Sequence, residues 1–290
     1  TVLREMDEKW QRRFLTWGIV IAVFGMRIIF PLAIVAIAAK LDPISAINLS
    51  LNDPERYEQI VSSAHIGIAG FGGAFLTMVG LNFFFDGDKD VDWIRGLELA
   101  LRRFSEVKAA EIGILLLLLY GISTMLAEDE AMVFLSSGIL GIITYIAVDA
   151  VGSLLDKVER KKMAAGAVRS GIGGFLYLEV LDASFSFDGV IGAFALSNNM
   201  LIIAIGLSIG AMFVRSMTVH LVRAGTLSKY RFLEHGAFWA IIALGLIMLF
   251  SAKYHISESI TGLIGAVLIG ISLLWSLRYN RKHGRQTDTV

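Results

Sequence analysis

The chain has 290 residues, 56% of them hydrophobic and only 18% charged, and its 26 basic and 26 acidic residues leave no net charge. A mean hydropathy of +0.68, with repeated apolar runs of about 20 residues, the length that crosses a bilayer's hydrocarbon as a helix, reads as an integral membrane protein. Basic residues gather in the connections and form no stripe, which argues against a nucleic-acid partner, and the absence of cysteine excludes disulfides, thiolate metal ligands and cysteine nucleophiles.

The expected architecture is all-α, a polytopic transmembrane helix bundle with eight spans. In chain order they are A, Phe14 to Ala38; B, Ala64 to Phe85; C, Val107 to Ala127; D, Ala131 to Gly152; E, Val168 to Leu196; F, Met200 to Val222; G, Gly236 to Ala252; and H, Ser259 to Leu277. They form one multi-pass domain over 1–290, with a first half at 14–127, a second half at 131–277 and a tail at 278–290. The connections decide the orientation. Arg4, Lys9, Arg12 and Arg13 precede A; Lys89, Arg95, Arg102, Arg103 and Lys108 lie between B and C; Lys157, Arg160, Lys161, Lys162 and Arg169 between D and E. Arg223, Lys229 and Arg231 follow F, and Arg278, Arg281, Lys282 and Arg285 follow H, whereas the alternate loops hold only Lys40, Arg56 and Lys253. This alternation obeys the positive-inside rule with both ends of the chain cytoplasmic.

The stretch from Lys40 to Ser63, with Pro43 and Pro54, reads as a surface excursion on the outer side, and Glu128, Asp129 and Glu130 as a tight acidic turn on that side. Asp86, Asp88, Asp90 and Asp92 resemble a calcium loop only superficially, because Val91 and Leu97 stand where glycine and glutamate are needed. His65, His220, His235, His255 and His283 fall at span ends or in loops without metal-ligand spacing, and are expected to be interfacial. Glycines at 67, 70, 72 and 73 in B, at 171, 173 and 174 in E, and at 206 and 210 in F would let helices approach closely.

Spans A and F resemble each other. Gly18 to Arg27 and Ile205 to Arg215 are both glycine-bearing apolar runs closed by a lone mid-span arginine, and the loop charges give them opposite directions, so the repeat would be inverted. F is preceded by the acidic span E. A is preceded only by a charged amphipathic segment, so a further acidic helix, the counterpart of E, is expected ahead of Thr1.

The candidate chemistry lies in Phe175 to Phe194, where Glu179, Asp182 and Asp188 sit in an otherwise apolar span. A carboxylate at bilayer depth costs several kcal/mol unless it is protonated, paired or bound to a cation. Glu179, Asp182 and Ser186 follow i, i+3, i+7 and share a helix face, while Asp188 would stand about 240° beyond Asp182 on a continuous helix. Convergence of the two aspartates needs a break, which Asp188-Gly189 supplies, and unwound carbonyls there could serve as further ligands. Asn198 and Asn199 could add amide oxygens. An all-oxygen site suits hard divalent cations such as Mn²⁺, Mg²⁺ or Ca²⁺. The alternatives are acids that stay protonated, or that neutralise Arg27 and Arg215 as buried ion pairs. Pro31, four residues after Arg27, would kink A at the level of that charge. Glu111 and Asp149, near the inner ends of C and D, read as solvated.

Leu181 to Phe194 looks like the second acidic motif of the TerC superfamily of bacterial membrane proteins, an aspartate, a short aromatic and small stretch, then a second aspartate followed by small residues. Trp10 to Arg27 and the run Gly70 to Leu76 resemble a branch of that superfamily known only as a domain of unknown function. The resemblance implies a fold related to the LysE-type exporters, with an acidic motif from each half meeting at a membrane-embedded site. It carries the second motif's acids onto Asp182 and Asp188 and the mid-span arginines onto Arg27 and Arg215, and it puts the first motif, a serine and aspartate followed by asparagine and alanine, ahead of Thr1. The expectation is a divalent metal exporter, manganese first, with Ser186 assisting and no enzymatic step or resident cofactor. A non-transporting component that recruits soluble cytoplasmic partners in a tellurium-resistance or envelope-stress complex stands as the second class. An intramembrane aspartyl protease ranks last, because Gly-x-Gly-Asp is absent.

Overall fold

The computed structural model describes residues 20–29, 40–85, 91–104, 109–164, 200–223, 230–254 and 256–283, with 13, 16–18, 32 and 36 besides, and contains no strand among them. After span A, aspartate and proline together decide how the chain restarts. Helix α1 is Pro43–Asn52: Asp42 accepts the N–H groups of Ile44 and Ser45 at 3.0 and 3.1 Å, and Pro43 occupies a position whose N–H would be orphaned anyway. Helix α2, Pro54–Ser63, repeats the device with Asp53 accepting from the Arg56 N–H at 3.2 Å. The expected surface excursion is therefore two short helices with Ala46, Tyr57 and Val61 fully buried. Each proline starts a helix because an aspartate stands immediately before it.

Two compact units divide the chain, Thr1–His65 with Ile146–Ala224, and Ile66–Tyr145 with Gly225–Val290. In the first, Ile21–Ile29 is wound as a π-helix and packs against α7, Met200–Arg223. The second contains α3 (His65–Phe85, from Ile66 on), α4 (Arg95–Phe104), α5 (Ala110–Ser123), the start of α6 (Glu128–Ala164), α8 (Leu233–Ser251) and α9 (Glu258–His283).

Among the described residues, four helices are long and apolar enough to cross a membrane: His65–Phe85, Glu128–Val151, Leu233–Ser251 and Ser259–Lys282. They correspond to spans B, D, G and H. Span F is helical as α7, with its apolar stretch at Ile202–Thr218, while C, among its described residues, is helical over Ala110–Ser123. Those 14 residues rise about 21 Å, short of a hydrocarbon core of about 30 Å. Two other expectations change. Glu128, Asp129 and Glu130 form the first turn of α6, where carboxylates complement the helix dipole, and the reversal itself lies just before them. The stretch from Lys157 to Lys162 continues the same helix instead of forming a loop.

Helix α3 is the hub of its unit, with 78% of its apolar window buried against 11% for α9. Glycine makes that density possible. A Cβ on Gly245 of α8 would stand 2.9 Å from the Thr77 nitrogen and 3.1 Å from the Gly73 carbonyl, and one on Gly70 would stand 2.6 Å from the Phe134 carbonyl of α6. Backbone thus meets backbone on both sides of α3. Outward, Met132, Leu140 and Ile143 of α6 and Leu263, Val267 and Leu274 of α9 are exposed, as lipid-facing side chains would be.

Candidate functional site

The four acidic-span residues, Glu179, Asp182, Ser186 and Asp188, lie outside the described residues, as do Asn198, Asn199 and the aspartates at 86, 88 and 90. Arg27 belongs to the π-helical segment and Arg215 to α7, so the two helices that carry the mid-span arginines are neighbours. Glu111 is half-buried in the first turn of α5, and Asp149 is exposed on α6. Among the described residues, no group of three or more His, Asp or Glu side chains could hold a metal ion.

What the structure brings together instead is a polar node around Glu98, a residue the sequence reading did not single out. Glu98 stands in the first turn of α4 and is 3% exposed. Its carboxylate folds back to accept the N–H of Trp93 at 2.9 Å and that of Ile94 at 3.2 Å, satisfying donors that the start of a helix leaves open. A third donor comes from another helix, the indole N–H of Trp239 on α8, at 3.0 Å. One turn earlier on α8, His235 is 5% exposed and places Nε2 2.7 Å from the Val91 carbonyl and 3.7 Å from the Glu98 carboxylate. A carbonyl can only accept, so Nε2 carries the proton. Nδ1 of His235 and Nε1 of Trp93 are buried without a hydrogen-bond partner.

Aromatic rings seal the node from water. Phe83 stacks on Phe238 at 3.7 Å, Phe84 lies 4.4 Å from Trp239, and Trp93 meets Trp275 of α9 edge-on at 5.6 Å. The node therefore fixes the connection after α3 and the start of α4 to α8, with the Glu98 side-chain oxygens held by three N–H donors and faced by an imidazole. His235 stands near a span end as expected, and it is buried there because Val91 and Glu98 reach it from a distant stretch of chain. The available signal was the pair His235 and Trp239, four residues apart on one helix face.

Membrane-length apolar helices joined through glycine contacts, with large apolar side chains exposed on their outer sides, are the features of a polytopic helical membrane protein. The family model described as "Protein of unknown function (DUF475)" matches residues 1–283, and the chain belongs to that family. No curated protein and no solved structure matches it.

Proposed function

We propose that the protein is a secondary transporter of the bacterial cytoplasmic membrane that exports a divalent metal cation, manganese first, through an intramembrane carboxylate site. One observation carries the reading: Glu179, Asp182 and Asp188 stand within the apolar run from Phe175 to Phe194, and intramembrane acids mark ion pathways. In this reading Asp182 and Asp188 bind the ion, Ser186 and Glu179 assist, and Arg27 and Arg215 set the local charge. Two contacts support an inverted-repeat transporter. The π-helical segment of span A packs on α7, which is span F, and α3, which is span B, meets α8, which is span G, at Gly73 and Gly245. If A is the counterpart of F, then B is the counterpart of G, and helices beside a pseudo-two-fold axis touch their counterparts.

In vesicles reconstituted with the full chain, Asp182→Asn and Asp188→Asn are expected to abolish manganese flux while leaving the thermal unfolding midpoint in detergent in place. Full flux in the Asp188→Asn form would remove that residue as a ligand. The second reading, a membrane component that docks soluble partners, draws support from α6, which continues past Val151 to Ala164 through Lys157, Arg160, Lys161 and Lys162. Flux by the purified protein alone separates the two.

A further inference from the structure

Helix α4 follows the membrane-length helix α3 after a short connection and is amphipathic. Ile94, Leu97, Leu101 and Phe104 recur at i, i+3, i+7 and i+10 and share one side in register, while Arg95, Arg102 and Arg103 fall on the other. Leu101 packs against the buried cluster of Leu81, Phe84, Phe85 and Ile242. Ile94 and Leu97 do not follow it inward: they are 38% and 47% exposed. Leu99, on the arginine side in register, is 44% exposed as a single leucine among charges, but Ile94 and Leu97 open together on the apolar side, and that pairing suits a helix lying flat at a membrane surface.

The depth of the helix supports this. Glu98 ties α4 to Trp239, in the second turn of α8, and Trp93 touches Trp275 near the end of the apolar part of α9, so three indoles cluster where two membrane-length helices end. Indoles collect at the headgroup level, where one edge is apolar and the other polar. Beyond Trp275, α9 carries the exposed residues Arg278, Arg281 and Lys282, and the exposed Arg231 donates to the Tyr279 hydroxyl at 3.1 Å, its guanidinium 5.0 Å from that ring's centre.

We infer that α4 is an in-plane surface helix whose open aliphatic side enters the acyl–headgroup boundary, and that its arginines, with the basic end of α9, bind the phosphates of anionic phospholipids in the protein's own membrane. An acidic protein partner fits less well, because Ile94 and Leu97 would face water until it arrived. The inference is independent of cation transport.

The chain has no cysteine, so single-cysteine variants label cleanly. In nanodiscs of phosphatidylcholine with phosphatidylglycerol, a nitroxide on Leu97→Cys should collide with oxygen more than with an aqueous nickel chelate. One on Leu99→Cys, which lies between Arg95 and Arg103 in register, should show the reverse. Spin-labelled phosphatidylglycerol should be held by the protein in preference to phosphatidylcholine, and Arg102→Gln with Arg103→Gln should cut that preference by about fivefold per arginine removed. The pair Arg281→Gln with Lys282→Gln should lower it in the same direction. Equal nickel access at 97 and 99, or a lipid preference untouched by both pairs, overturns the inference.

Discussion

Glu98 shows how a buried carboxylate is satisfied by N–H donors of the protein itself. Three N–H donors surround it, two from its own helix start and one from α8, so it is both cap and tether. Glu98→Ala would strand those donors, at a cost of about 1–3 kcal/mol for a buried one. The expected result is a clearly lowered unfolding midpoint in detergent, with quenched-probe accessibility rising at Trp93 and Trp239, and Glu98→Gln, which keeps one acceptor oxygen, should lose less. An unchanged midpoint for the alanine form would deny the tether. Asp42 makes a different prediction. Hydrogen bonds from the Ser45 hydroxyl, the Ser45 N–H and the Ile44 N–H hold its carboxyl below the ordinary 3.8. A depressed carboxyl stabilises the folded cap fully above that value, and the contribution disappears as pH falls through the lower folded value. Protection of the α1 amides, corrected for intrinsic exchange, should therefore fall below about pH 4, and Asp42→Asn, which still caps, should flatten that dependence.

At the scale of elements, the crossing of α3 and α8 rests on hydrogen atoms where other residues have side chains. A methyl group on Gly245 would meet the Thr77 hydroxyl at 2.6 Å and backbone atoms at 2.9 and 3.1 Å, and backbone cannot swing aside. Gly245→Ala should separate the helices and cost about 1–3 kcal/mol. Gly262→Ala on α9, with nothing within 4 Å, should be neutral or slightly stabilising, so unfolding midpoints of the two variants compared with the parent test the distinction. The glycine pattern in span B was legible as close packing, and Gly70 and Gly73 do sit at contacts. The same pattern at Gly206 and Gly210 has open space around it. Spacing shows where helices can approach, and only a partner's position shows where they do. Pro43 and Pro54 mark a surface excursion in the sequence, and the aspartate before each makes it a helix start.

At the scale of the molecule, the two units each join an early stretch of chain to a late one. That interleaving suits an inverted repeat and makes the flux measurement on Asp182→Asn and Asp188→Asn a test of the whole reading. Retained transport in both would leave the basic extension of α6, with Lys157, Arg160, Lys161 and Lys162, as the functional feature, and lost transport with an intact fold would assign the ion path to span E.

Apolar length was enough to locate B, D, G and H, because twenty residues that cannot face water will form a helix whatever surrounds them. Charge bias gives the connections an expected orientation, and three acids in an oily run single out span E as a candidate for the same local reason. The Glu98 node was invisible at that level. Its carboxylate, the Val91 carbonyl, His235 and Trp239 come from stretches of chain more than a hundred residues apart, and only packing α8 against α3 and α4 turns a surface-looking glutamate and an end-of-span histidine into a buried pair.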